Sequence, residues 1–158
     1  TLPLVEEFEA GGQDLIIVKQ DPARRYAGAR ALWQERLVWV AAPGLVADFV
    51  RAGAGRPLPL VLSPAPCVYR SRATGALDAA GVAWTGGFTS PSFAGCSAAV
   101  REGLGYAVMP RAMVPPGLVV LEGWPLLAEA EIALLGAARL SAAAQALATF
   151  IQERVARR

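Results

Sequence analysis

Between Ser97 and Pro110 the chain reads Ser-Ala-Ala-Val-Arg-Glu-Gly-Leu-Gly-Tyr-Ala-Val-Met-Pro, and no other stretch restricts the fold as much. A helix ending at Gly103 meets the residue type that takes positive φ most cheaply, and Gly105 lets the backbone turn again without a Cβ clash. Tyr106 to Met109 suit a short buried strand. Pro110 closes it, having no N–H to donate to a sheet ladder. Helix, tight turn and strand in such quick succession imply an α/β domain in which strands lie beside helices.

The remaining composition fits that class. A chain of 158 residues has room for one domain or two small lobes, and a hydrophobic fraction of 54 % against 18 % charged supplies a core. The net charge of +2, from 15 basic and 13 acidic residues, is too even for a nucleic-acid footprint. The basic clusters are Arg24-Arg25 and the run from Arg154 to Arg158, which suits the last turn of a helix. The longest uncharged stretch, Ala79 to Val100, contains glycines, a proline and several Ser/Thr, so it reads as turn, strand and helix start rather than a membrane span. Glu6, Glu7 and Glu9 stand where a signal peptide would be apolar, and Thr1 falls in what reads as mid-helix, so a fragment of a longer chain is expected. Cys67 and Cys96 make no disulfide framework, which points to a reducing cytoplasm. The absence of histidine removes Ser-His and Cys-His pairs and the usual zinc ligand sets; no metal and no cofactor is expected.

Along the chain, Leu2, Leu4, Val5 and Phe8 have helical spacing, and Gly11-Gly12 stop that helix. Asp14 to Lys19 reads as a buried parallel strand, residues 20–31 as loop, and Glu35 to Ala42 as one strand. A short helix is expected around Leu45 to Arg51, a Gly/Pro-rich loop from Gly53 to Pro59, and a strand at Leu60 to Leu62. A helix from Cys67 to Ala80, a strand from Val82 to Phe88 interrupted at Gly86-Gly87, and a helix from Ser92 to Glu102 follow. Two more strands, Leu118 to Leu121 and Glu131 to Gly136, precede a final helix capped by Ser141, with Ala144, Leu147, Phe150, Ile151 and Val155 as its apolar stripe. A parallel or mixed sheet covered on both faces results.

Two junctions are alike: Leu62-Ser63-Pro64-Ala65-Pro66-Cys67 and Phe88-Thr89-Ser90-Pro91-Ser92. Each places hydroxyl and proline residues between a strand end and a helix start, with proline suited to the first helical turn. These residues either cap their helices or line a pocket for a carboxylate or similar small anion, because ligands of open α/β sheets gather at the carboxyl ends of strands against helix N-termini. Cys67 either serves as a nucleophile with lowered pKa or packs as a small semi-buried residue; with no histidine to pair with it, packing is favoured, and Cys96 more so. The tryptophans Trp33, Trp39, Trp84 and Trp124 are spread out and suggest packing, although Trp39 could line a pocket. Gly103-Leu-Gly105 follows a helix, where a dinucleotide fingerprint follows a strand.

Taken together, these pieces resemble the effector-binding domain of LysR-type transcriptional regulators. Gly12-Gln-Asp14-Leu-Ile-Ile-Val is similar to the family's G-x-x-D-L-A-I strand, and Glu35-Arg-Leu-Val-Trp-Val40 to the strand leading into the second lobe. Ala98 to Pro110 resembles the V-A-A-G-L-G-I-A-L-L-P segment, and Leu140 to Phe150 the closing helix. The resemblance implies two Rossmann-like lobes of the periplasmic-binding-protein type with an effector between them. The first lobe, incomplete here, would comprise residues 1–42 and 129–158, and the second residues 43–128. The elements that open the family's first lobe, and its winged helix-turn-helix, lie outside this chain, so DNA is expected as a partner only through that absent domain.

The function expected is ligand sensing, not catalysis: a small anionic or polar metabolite binds and biases the regulator. Ser63, Pro64, Cys67, Val68 and Tyr69 are the candidates at one junction, and Thr89, Ser90, Ser92 and Phe93 at the other. Ser63, Thr89 and Ser90 would hold the charged end, with Tyr69 and Phe93 packing on its body. The full-length protein is expected to be a homo-oligomer, dimer or tetramer, with no membrane partner. The alternatives are a transporter's solute-binding protein of the same fold and, third, an enzyme on a related fold.

Overall fold

The computed structural model describes residues 2–45, 49–52 and 55–157. The chain divides into two compact units, Thr1–Glu35 with Glu129–Arg158, and Arg36–Ala128.

In the first unit, α1 (Leu2–Glu9) leads into β1 (Leu15–Gln20), which pairs antiparallel with β8 (Ala130–Gly136). β2 (Arg30–Glu35) flanks β8 on its other side, also antiparallel, giving the order β1-β8-β2. β1 therefore differs from the expected buried parallel strand. Its burial alternates, Ile16 and Val18 being covered while Ile17 stays 47 % exposed. Val5 of α1 packs on Ile16, Val18, Ala133 and Leu135 on one face of the sheet, and Ile132 and Leu134 of β8 are buried on the other. β2 was not expected: residues 20–31 read as loop and Glu35 as the start of the next strand; its two faces are largely exposed, so no apolar alternation announces it. Ser141 caps α5 (Ala142–Ala156), its Oγ accepting from Ala144 N at 3.2 Å. Of the expected apolar stripe, Ala144 is buried, whereas Leu147 and Phe150 are 51 % and 55 % exposed.

The second unit begins with β3 (Leu37–Ala41), buried throughout and paired antiparallel with β6 (Ala107–Pro110) and β7 (Val119–Val120). Residues 36–42 thus belong with 43–128, not with the first lobe as the sequence suggested, because their ladder partners are in this unit. α2 (Phe49–Ala52) covers part of the helix expected near Leu45 to Arg51; residues 46–48 there, and 53–54 of the following loop, lie outside the described residues. β4 (Leu58–Leu62) and β5 (Trp84–Thr89) are parallel, with a register shift that sets Val61 against Phe88 and passes over Gly87. β4 meets β6 through a parallel bridge between Leu60 and Tyr106, so the strands run in the order β5-β4-β6-β3-β7.

α3 (Val68–Ala79) crosses from β4 to β5, and α4 (Phe93–Arg101) returns from β5 to β6. The two connections leave β4 and β5 in opposite directions across the sheet, and right-handed crossovers then put the helices on opposite faces. α4 buries Cys96, Ala99 and Val100 against Val38, Val40, Val61, Ala107 and Met109. The turn read from the sequence closes α4: Gly103 N bonds Val100 O and Leu104 N bonds Ala99 O, both at 3.0 Å, with Gly103 at φ 75°. Contrary to the expectation of scattered tryptophans, Trp124 packs on Trp39, Phe49 and Tyr106 with ring centroids 5.2, 5.1 and 4.7 Å away. Trp39 Nε1 donates to Pro125 O at 2.9 Å, so the buried indole N–H is satisfied.

Candidate ligand site at the carboxyl ends of β4 and β5

Leu62 and Thr89 are ladder partners, so both hydroxyl-proline junctions leave the sheet side by side. Ser90 N donates to Leu62 O at 3.1 Å, which carries the pairing one step past the strands. Ser63 and Ser90 are half-buried there, while Pro64 and Thr89 are exposed. Cys67 is the N-cap of α3 with no side-chain capping bond, and Val68 and Tyr69 open the helix half-buried. Ser92 caps α4, its Oγ accepting from Gly95 N at 3.3 Å, and Phe93 behind it is 38 % exposed. Pro66 and Pro91 stand immediately before the caps, outside the first helical turn that the sequence suggested. Ser92 caps its helix, while neither Ser63 nor Thr89 serves as a cap.

Cys96 ties the two junctions together. Its Sγ lies 3.4 Å from Ser90 O and 3.7 Å from Leu62 O. Burial pushes the thiol pKa up, with Cys67 acting in the same direction and hydrogen bonds with the Ser63 side chain and the Ser90 backbone opposing. It is thus a thiol that donates to strand-end carbonyls, not a nucleophilic thiolate. A single buried cysteine in a sequence carries no sign of this role. Arg70, in the first turn of α3, donates to Ser63 O at 3.1 Å and fixes that junction from the other face.

The arrangement presents hydroxyl groups and the first-turn N–H groups of two helices along one edge of a parallel strand pair. Ser90 Oγ accepts from Ser92 N at 3.2 Å and Ser92 Oγ from Gly95 N, so each hydroxyl still has its own proton to donate to an anion. Replacing Ser92 by Ala should cost about 1 kcal/mol of stability through the lost cap, measurable by urea unfolding, with α4 otherwise retained. Among the described residues no group of three or more Cys, Asp or Glu is placed to hold a metal ion, and no helix is long and apolar enough to cross a membrane.

An α/β unit whose parallel strands end against two helix N-termini is the frame of a small-ligand-binding domain. The chain belongs to the LysR substrate binding domain family, which it matches over residues 3–156. It is 34 % identical over 125 residues to the HTH-type transcriptional regulator DgdR of Burkholderia cepacia, an alignment covering 78 % of this chain and 40 % of that protein. The chain thus spans about two-fifths of that relative's length. Among solved structures, the bromide-bound regulatory domain of HypT from Salmonella typhimurium superposes with a TM-score of 0.78 at 18 % identity, over 100 % of this chain and 80 % of that one. The CcmR regulatory domain of Synechocystis in complex with 2-PG gives 0.73 at 13 % identity, over 97 % of this chain and 78 % of that one. The fold is the α/β, periplasmic-binding-protein-like fold of LysR regulatory domains.

Proposed function

We propose that this chain is the effector-sensing part of a LysR-type transcriptional regulator, binding a small anionic or polar metabolite at the carboxyl ends of β4 and β5. The observation that carries this is the convergence of both hydroxyl junctions and both helix N-termini, held together by Cys96 and by the Ser90–Leu62 bond. Ser63, Thr89 and Ser90 take the ligand's charged end, Tyr69 and Phe93 its body, and Pro64, Cys67, Val68 and Ser92 shape the wall. The anion-bound state of the HypT domain supports an anion as ligand for this fold. Thr1–Glu35 with Glu129–Arg158 corresponds to the family's first lobe and Arg36–Ala128 to its second. The module acts by binding without turnover. In the cytoplasm, within a homo-oligomeric full-length regulator, ligand binding changes how helix-turn-helix domains meet DNA. Similarity to a transcriptional regulator over 78 % of the chain favours this over a transporter's binding protein.

Replacing Thr89 and Ser90 by Ala in the full-length protein should weaken effector binding roughly tenfold or more, the expected loss for two hydrogen bonds to a charged group. Calorimetric titration measures it, with the effector found by a thermal-shift screen of metabolites. Unchanged affinity would remove these residues from the site.

A further inference from the structure

We propose that Arg36 and Arg111 form a two-guanidinium clamp for an oxyanion group of the ligand, making the effector an organic acid or phosphate ester of at least two negative charges. The proposal rests on the functional reading above and adds to it the residues that set charge specificity.

Arg36 precedes β3 and Arg111 follows β6. Leu37 pairs with Pro110 at the end of that antiparallel ladder, so Arg36 and Arg111 stand opposite each other one step beyond it. Arg111 N donates to Arg36 O at 2.9 Å, which fixes the two backbones as neighbours. Val38 and Met109, two residues inward on each strand, belong to the core that α4 covers. Strand alternation continues that face to Arg36, while Arg111 opens a single 3-10 turn, Arg111–Met113, directly after β6. Because β3 is antiparallel to β6 while β6 is parallel to β4, the amino end of β3 and the carboxyl ends of β4, β5 and β6 share one edge. Leu60 lies opposite Tyr106, so Arg111 stands one strand over from Ser63 and two residues further along, about 8 Å away, a gap that a ligand spanning the two would fill. The crevice between β4 and β6 is also where the crossover direction reverses, the position at which open α/β sheets bind ligands.

Electrostatics gives the pair its meaning. Both arginines are exposed, and among the described residues neither side chain has an ion-pair or hydrogen-bond partner. Like charges directly opposite on paired strands are unfavourable, and the N-terminus of α4, on the same face, adds further positive potential. Glu122, the exposed acid beyond β7, pairs with neither arginine. Two guanidinium forks carried on neighbouring backbones suit a carboxylate or phosphate, which relieves their repulsion by bridging them.

The test is thermal-shift titration of the full-length protein with succinate and with inorganic phosphate, each against sodium chloride of equal ionic strength, and with neutral succinamide. The wild type should give a saturable rise in Tm with at least one dianion and none with succinamide; which of the two acts separates carboxylate from phosphate recognition. R36Q and R111Q should each weaken the apparent affinity roughly tenfold to a hundredfold, and the double variant should abolish the response. Because neither side chain has a partner to lose, the unliganded Tm of each variant should not fall. Absence of a saturable dianion response in the wild type, an undiminished response in the double variant, or a lowered unliganded Tm would overturn the clamp. If the double variant keeps a response that Thr89→Ala with Ser90→Ala removes, the clamp fails and the hydroxyl site stands. If the hydroxyl variant keeps a response that the arginine variants lose, the clamp stands and the hydroxyl site fails.

Discussion

Gly105→Ala is expected to cost about 3–5 kcal/mol, a large share of the roughly 5–15 kcal/mol that holds an ordinary domain folded. A Cβ on Gly105 would lie 2.8 Å from the Pro59 carbonyl carbon and closer still to its oxygen, both backbone atoms that cannot swing aside. That contact is the seam between β4 and β6: Tyr106 N donates to Pro59 O at 2.9 Å, and Val61 N to Tyr106 O at 2.8 Å. Moving Pro59 would break both bonds and shift the strand that carries Ser63. Gly103→Ala is the comparison. Its φ of 75° is costly for alanine, but the added Cβ would meet only Leu45 Cδ1 at 3.4 Å, so a loss near 1 kcal/mol is expected. Urea unfolding of the two variants separates a conformational penalty from a steric one. Equal losses would refute the close-packed seam.

That seam shows what the sequence disclosed and what it withheld. The two glycines and the apolar tetrad after them announce a helix end, a turn and a strand through local chemistry alone, and all three are present. Why Gly105 in particular must lack a side chain is a long-range fact, since Pro59 is distant in sequence. β2 escaped detection for the opposite reason: a strand exposed on both faces leaves no alternation to read. β1 departs from its sequence reading because a continuous apolar run looks the same whether both faces are buried or one apolar side chain, here Ile17, faces outward. The misplacement of residues 36–42 has a similar origin. A buried strand declares its burial in sequence but not its ladder partners, and β3 takes its partners from β6 and β7.

The candidate site was legible to the extent that it is local. Hydroxyl and proline residues between strand and helix mark helix entries, and Ser92 does cap α4. The features that join the junctions are not local. Cys96 reaches Leu62 across 34 residues, and Arg36 faces Arg111 only once β3 and β6 have paired. Neither a lone cysteine nor an arginine beside a strand differs in sequence from its many neutral counterparts. The same holds for Glu131 in the first unit, which the sequence shows only as one acid at the start of an apolar strand.

Replacing Glu131 by Ala is expected to cost about 3 kcal/mol. Glu131 is 1 % exposed on β8, opposite Gln20 of β1, and its carboxylate is fully engaged. Gln20 Nε2 donates to Oε1 at 2.8 Å and Arg25 to Oε2 at 2.6 Å, while Gln20 Oε1 accepts from Tyr26 N at 2.8 Å. Truncation would leave the buried Gln20 amide unpaired and release Arg25, which fastens the segment between β1 and β2. Glu131→Gln keeps the hydrogen-bonding shape and loses the charge, so it should cost less. pH separates the two contributions. Burial alone would raise the Glu131 pKa, but the hydrogen bonds from Gln20 and Arg25, and the Arg25 charge, hold it below its usual 4.5. As pH falls the unfolded chain therefore takes up this proton first. The contribution of Glu131 is complete above about pH 4.5 and is lost progressively as pH drops through the depressed folded value. The difference in unfolding free energy between wild type and Glu131→Gln should be constant near neutrality and shrink below that point. High salt should leave much of the difference in place, since Glu131 is buried although Arg25 is about half-exposed. A difference independent of pH down to the acid transition would mean that the carboxylate is held by shape alone and that the charge of Arg25 contributes nothing.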